Sequence, residues 1–180
     1  MVDMDSEVQR GGYLRFIAMI ATAMTVMFLL TYLNSSEIIG HARFSETRLF
    51  MTLIMGGAMV LIMLAYMLHM YRDKKANIGL VIVAVLLFSG GLWLVRSQAT
   101  VTDVDFMEGM IPHHSIAILT SDRARIEDPR VRKLADGIIE AQRREIKEMD
   151  WLIQDIRENG VATSQKDADQ RSVPDFSAHP

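Results

Sequence analysis

Three long apolar runs fill the first half of the chain, and apolar positions at helical spacing among charged ones fill the second. The runs cover about 13–33, 49–68 and 78–95. The first carries Arg15 near its start, the second holds no charge, and the third ends at Arg96. A bilayer core about 30 Å thick needs roughly 20 apolar residues in helical form. Only helices or closed barrels satisfy their backbone in lipid, and continuous runs without alternation predict helices. The first run is too long for a cleavable signal, and no small-residue cleavage site follows it. Residues 1–12 therefore read as a short cytoplasmic segment ahead of a retained span.

Beyond the connector Ser97–Thr102 the pattern changes. Val131, Leu134, Ile138, Ile146, Met149, Ile153 and Ile156 recur at helical spacing. Arg132, Lys133, Asp136, Glu140, Arg143, Arg144, Lys147 and Asp150 occupy the other face. Asp128-Pro129 supplies an N-cap followed by proline at the first helical position. Asn159-Gly160 supplies the stop. An earlier helix starts at Thr102 or Asp103 and runs to about Arg125, with Pro112 predicting a kink or a fresh start inside it. The short connection between the two helices implies an antiparallel hairpin within residues 97–160. Residues 161–180 are polar and aperiodic, and disorder is expected there. The fold class is all-α: three transmembrane helices, then a helical hairpin. A hairpin core is thin, so oligomerisation is expected, and two hairpins would make a four-helix bundle.

Charge and composition narrow the chemistry. The net charge of −3 over 180 residues, with bases and acids interspersed, gives no nucleic-acid surface. Five basic residues flank one side of the spans (Arg10, Arg15, Arg72, Lys74, Lys75) and three the other (Arg43, Arg48, Arg96). That bias places the N-terminus in the cytoplasm and the hairpin outside, in the periplasm if the membrane is a Gram-negative inner membrane. The absence of cysteine excludes disulfides, thiolate metal sites and Cys nucleophiles. Methionine is abundant, and nine of the 14 lie between Met19 and Met70. Met51, Met55, Met59, Met63 and Met67 recur every four residues, with Met70 after them; successive members turn about 40° around a helix. Such a row suits either a thioether path for a soft metal or adaptable packing between spans, which the adjacent Gly56-Gly57 favours.

The stretch Phe106–His114 concentrates the remaining candidate chemistry. Met107, Met110 and His114 fall at i, i+3 and i+7 on one helix face, with His113 about 100° away. Gln142, Glu145 and Met149 repeat that spacing on the second helix, so the two rows can face each other in a hairpin. Imidazole with thioether suits copper, Cu(I) in particular. Glu145 is a candidate acceptor orienting a ligand imidazole, while methionines at these positions also suit a core. No Glu-x-x-His pair, His-Glu-x-x-His motif or phosphate-cradling glycine loop is present, so an enzyme is not expected.

At these residues the chain resembles the family known as domain of unknown function 305. The likeness lies in Phe106-Met107-x-x-Met110-Ile111-Pro112-His113-His114 with Ala117, and in Ala135, Ile138, Ile139, Gln142, Glu145, Ile146 and Met149. It covers about Asp103–Asp155. The resemblance implies a ferritin-like four-helix-bundle fold, and for some members copper binding outside the cytoplasm. It makes Met110, His113, His114 and Met149 the candidate ligands. Where members often have Gln-Gly after the His pair and a further Met, this chain has Ser115-Ile116, then Leu119 and Thr120. A single hairpin on three spans resembles a membrane-anchored subgroup.

Two functions follow as expectations. The first is a membrane-anchored copper-binding protein for sequestration or hand-over, using His113, His114, Met110, Met107 and Met149, with Glu145 and Gln142 behind them. Its partners would be the lipid bilayer, a second copy, and a copper donor or acceptor protein. The alternative is a structural or interaction module of the cell envelope, in which the hairpin dimerises and the His pair serves packing or pH sensing.

Overall fold

A computed structural model describes residues 2–33, 37 and 40–176, with side chains from Gly11 onward. Met1 and residues 177–180, at the ends of the two segments expected to flank the folded parts, lie outside the described residues. The described residues form six helices and no strand. They are α1 (Val2–Leu30), α2 (Glu46–Met67), α3 (Lys74–Ser97), α4 (Asp103–Arg123), α5 (Pro129–Asn159) and α6 (Gln165–Gln170). The chain forms two compact units: Met1–Thr31 with Glu46–Thr100, and Tyr32–Ser45 with Val101 onward.

The first unit contains three stretches long and apolar enough to cross a membrane: Gly11–Leu30, Glu46–Met67 and Lys74–Ser97. Their 20, 22 and 24 residues give helices of roughly 30–36 Å at 1.5 Å per residue, matching a bilayer core. The first span ends three residues earlier than its apolar run, because residues 31–33 form a turn. The guanidinium of Arg48 donates to the Thr31 carbonyl at 2.6 Å, satisfying backbone at that end.

Two adjacent glycines set the packing of α2. A Cβ at Gly57 would lie 2.6 Å from the Ala84 carbonyl oxygen and 2.9 Å from the Phe88 nitrogen, so α3 rests backbone to backbone on α2 here. A Cβ at Gly56 would collide with the Met24 thioether, which fills the notch on the α1 side. Phe16, Ile20, Val60, Leu64, Tyr71 and Ala84 form the buried core, with Met24, Met59, Met63 and Met67 packed against it. The methionine row is thereby split, since Met51 and Met55 are exposed on the surface of the unit. The α2–α3 turn is pinned by Tyr13, whose hydroxyl donates to Asn77 Oδ1 at 2.8 Å, while Asn77 Nδ2 donates to the Tyr71 carbonyl. Asp73 caps α3 by accepting from the N–H groups of Lys75 and Ala76.

The second unit is built on the α4–α5 hairpin. Thr102 and Asp105 form a reciprocal capping box at the start of α4. Asp128 caps α5 ahead of Pro129, and Gly160 terminates it at φ 80°. Met107, Ile111, Ile118, Ile146, Met149 and Ile153 are the buried core between the two helices. Pro112 does not start a new helix: Asp103–Arg123 is one element that contains it. Its missing N–H removes one intrahelical bond, and complete burial of Ile111 and Pro112 offsets that loss.

Two further pieces pack on the hairpin. The loop between α1 and α2 lies against α4, where Ser45 is buried and a Cβ at Gly109 would sit 3.2 Å from the Ser45 oxygen. Arg43 pairs with Asp150 of α5 at 3.2 Å. The segment after Gly160, expected to be disordered, is instead ordered through Phe176. Ser164 caps the short α6. Arg171 then binds Asp155 of α5 at 2.7 Å, Asp167 at 3.0 Å and the Gly160 carbonyl at 3.2 Å. Aperiodic polarity hid this order, because one arginine with several acceptors replaces an apolar stripe.

Candidate functional site

The antiparallel hairpin brings the His114 row of α4 against the Glu145 row of α5. Nε2 of His114 lies 2.9 Å from a Glu145 carboxylate oxygen. Nδ1 of the same ring is 2.8 Å from the Met110 carbonyl oxygen, one turn earlier. A carbonyl oxygen only accepts, so Nδ1 is assigned the hydrogen. Nε2 on the other side of the ring faces the Glu145 carboxylate. Both ring nitrogens thus have a polar neighbour within hydrogen-bond distance. The His114 side chain is 12% exposed and that of Glu145 39%, so the link sits at the edge of the core.

The other predicted site residues are distributed differently. Met107 and Met149 are buried in the apolar core beside four isoleucines, with no His among them. Met110 is partly buried against the same cluster. His113 is exposed, and among the described residues its ring nitrogens have no hydrogen-bond partner. Its ring centroid is 6.2 Å from that of His114, with the planes at 89°. Gln142 is half-buried one turn before Glu145. Among the described residues, no three His, Asp or Glu side chains gather in a metal-holding arrangement. A soft metal arriving here would find one open imidazole, His113, and one partly covered thioether, Met110. It could use His114 only after displacing Glu145 or Met110. The donors fit copper in type.

Sequence reasoning missed a second polar contact on the same helix. Nδ1 of His41, in the α1–α2 loop, is 2.9 Å from the Ser115 hydroxyl, and its Nε2 is 3.8 Å from Glu37. Ser115 is 0% exposed. Serine, histidine and carboxylate in this order resemble a nucleophile relay, but a completely buried hydroxyl cannot meet a substrate. The trio instead fastens the loop to α4. Its only sequence signal is the row of small residues Gly109, Pro112 and Ser115, which opens one side of α4 to a passing backbone.

Outside the three apolar helices, Asp128, its partner Arg130 and Arg171 are clearly shifted by their surroundings. The Arg130 guanidinium, and then its backbone N–H, hold the Asp128 carboxyl below its ordinary range. The Asp167 carboxylate, and less strongly Asp155, keep Arg171 more firmly charged. All three serve helix ends or the C-terminal segment rather than the His pair.

Residues 103–178 match the family model described as Domain of unknown function (DUF305). The chain is also similar to "Uncharacterized protein L153" of Acanthamoeba polyphaga mimivirus, 30% identical over 142 residues. That match covers 76% of this chain and 91% of the viral protein. It is longer than the stretch from Asp103 to the last residue, so the likeness extends into the apolar helices. No solved structure matches. With the hairpin, its capping residues and the His-His turn in place, and with a relative aligned over most of both lengths, the chain belongs to the DUF305 family.

Proposed function

We propose that this protein is a membrane-anchored interaction module of the cell envelope, with its hairpin on the non-cytoplasmic side, periplasmic in a Gram-negative cell. The observation that carries this reading is the double engagement of His114, which fastens α4 to α5 through the Met110 carbonyl and Glu145. The partner is a second copy. Val131 and Leu134 are exposed on α5, and Ile138 follows at i+7 from Val131, forming an apolar stripe that α4 does not cover. Two such stripes facing each other would close a four-helix bundle and enlarge a core of six buried residues. The role is binding and assembly, without turnover. The full chain in detergent, with a chelator, is expected to run as a dimer from pH 5 to 8, and Leu134→Glu to make it a monomer. A monomeric wild type under these conditions would overturn the reading.

A second reading is copper sequestration or hand-over, favoured by the open His113 ring beside His114 and by Met110 one turn away. Here Cu(I) is cargo passed to or from a donor or acceptor protein. His113 and Met110 would capture it, and His114 would join on releasing Glu145. His113→Ala with His114→Ala abolishes copper retention in this reading, and unchanged affinity in that double variant would sink it.

A further inference from the structure

The turn between α2 and α3 carries Arg72, Lys74 and Lys75 around a single acid, Asp73, and all four residues are exposed. The turn nevertheless spends its acceptors on the protein. Asp73 Oδ1 accepts from the backbone N–H groups of Lys75 at 2.9 Å and Ala76 at 3.3 Å. The Tyr71 carbonyl accepts from Asn77 Nδ2 at 2.8 Å, and the Asp73 carbonyl accepts from the Asn77 N–H at 3.0 Å. Tyr71 is buried, with its ring 4.9 Å from that of Tyr13 and 5.3 Å from that of Phe16, so α1 holds the turn in place. Among the described residues, none of the three cations has an ion-pair partner.

These cations do not serve the helix they open. Lys74 and Lys75 are the first two residues of α3, and its first turn holds no acid. Positive charge there opposes the helix dipole, whose N-terminal end favours anions. Like charges this close in sequence also repel one another. A cluster that costs the helix stability, on a turn fixed by α1, is complementary to an anion from outside. Its surroundings say where that anion is held. Leu68 and Met70 before it and Ile78 after it are 53%, 58% and 60% exposed. The two helices that it joins, α2 and α3, are long and apolar enough to cross a bilayer. In a bilayer the turn lies where headgroups give way to acyl chains. A soluble anion has no use for the exposed aliphatic side chains, whereas a lipid uses both.

We infer that the Arg72–Lys75 turn is a headgroup site for an anionic phospholipid. Arg72, Lys74 and Lys75 meet its phosphate, and Leu68, Met70 and Ile78 lie against its acyl chains. The site rests on the spans crossing a bilayer and is independent of the dimer. Through it the anchor selects among the lipids around it by charge as well as by apolar length.

The test uses the full chain in phosphatidylcholine vesicles. The chain lacks cysteine, so Ala65→Cys, exposed on α2 before the turn, carries one fluorophore. Its quenching by brominated phosphatidylglycerol is compared with quenching by brominated phosphatidylcholine at equal content. Phosphatidylglycerol should be preferred at least about fivefold, the worth of one basic residue near an anionic surface. Raising salt from about 0.05 to about 0.5 M should lower the preference at least about twofold, since salt screens exposed charges. Arg72→Gln with Lys74→Gln and Lys75→Gln should abolish it, while Lys133→Gln with Arg143→Gln on α5 should leave it unchanged. The salt arm uses the native cations, so it decides even where the triple variant fails to fold. Excess soluble glycerol phosphate should not reduce the preference; displacement by it marks a site for free phosphates and overturns the lipid assignment. Equal quenching by the two lipids, or a preference that survives the triple variant or high salt, overturns the inference and leaves the anchor standing. No quenching by either lipid overturns the inference and the anchor together.

Discussion

Glu145 of α5 meets Nε2 of His114 at 2.9 Å, while Nδ1 of that ring is spent on the Met110 carbonyl. One imidazole thus joins its own helix turn to the opposite helix. A hydrogen bond to a charged group contributes about 1.5–3 kcal/mol when well buried. Glu145 is more than a third exposed, so about 1 kcal/mol of coupling is the reasonable expectation after solvent screening. A double-mutant cycle of His114→Ala and Glu145→Ala, read by unfolding of the full chain through Trp151 fluorescence in a Trp93→Phe background, checks it. Additive single effects would remove the latch from the account.

The backbone contact at Gly57 predicts a sharp positional effect among the span glycines. Gly57→Ala pushes a methyl against the Ala84 carbonyl and the Phe88 nitrogen, neither of which can rotate away. Overpacking of this kind costs about 1–3 kcal/mol. Gly79 and Gly90 have open space at their Cβ positions. Alanine there should be neutral or slightly stabilising, because glycine is a poor helix former. Thermal unfolding of the three variants in the same detergent separates them, and equal behaviour would contradict close α2–α3 packing.

Asp128 gives a pH dependence with a definite sign. Arg130 depresses its folded pKa below the ordinary value of 3.8. The cap therefore stabilises in full above that ordinary value, and its contribution is lost as pH falls through the lower folded one. Asp128→Ala should be less stable than wild type at pH 7, and the gap should close as pH falls below the ordinary aspartate range. A gap that stays constant from pH 7 to pH 2 would show that the carboxylate charge plays no part in the cap.

The chain lacks cysteine, so single-cysteine reporters can read sidedness directly. If all three apolar helices cross the membrane, the α1–α2 loop and the hairpin lie on one face and the α2–α3 turn on the other, in keeping with the His41–Ser115 and Arg43–Asp150 contacts of that loop. Lys133→Cys should react with a membrane-impermeant maleimide added to intact cells or spheroplasts, and Lys74→Cys only after lysis. The reverse pattern would invert the topology.

The legible and illegible parts of this chain differ in their physics. The spans announced themselves through apolar length, and α4 and α5 through Thr102, Asp128-Pro129 and Gly160, since caps are local chemistry. Of the kink or fresh start that Pro112 predicts, the fresh start is absent, since Asp103–Arg123 is one helix with Ile111 and Pro112 buried. The loop contacts of Ser45, His41 and Arg43 left no periodic trace, because small and polar residues pair across more than a hundred positions in the case of Arg43 and Asp150. The C-terminal segment was hidden likewise, since Arg171 orders it by charge. At the candidate site, spacing placed His114 and Glu145 on facing rows, but it could not say that the Met110 carbonyl would take the second ring nitrogen. Nor could it say that Met107 and Met149 would be core residues, since the same i, i+3, i+7 pattern serves ligands and packing equally.

The central claim is that the hairpin is fastened without metal and that His114 belongs to the fastening. The most direct measurement is an anaerobic Cu(I) titration of the full chain in detergent, followed by the ring-nitrogen resonances of His113 and His114, with Met107→Leu and Met149→Leu variants alongside. The account predicts that metal-free His114 shows both nitrogens hydrogen-bonded and that one equivalent of Cu(I) leaves them unmoved. Any copper effect should be confined to His113 and should be unchanged in both leucine variants. Stoichiometric movement of both His113 and His114, lost on replacing Met149 with leucine, would contradict it.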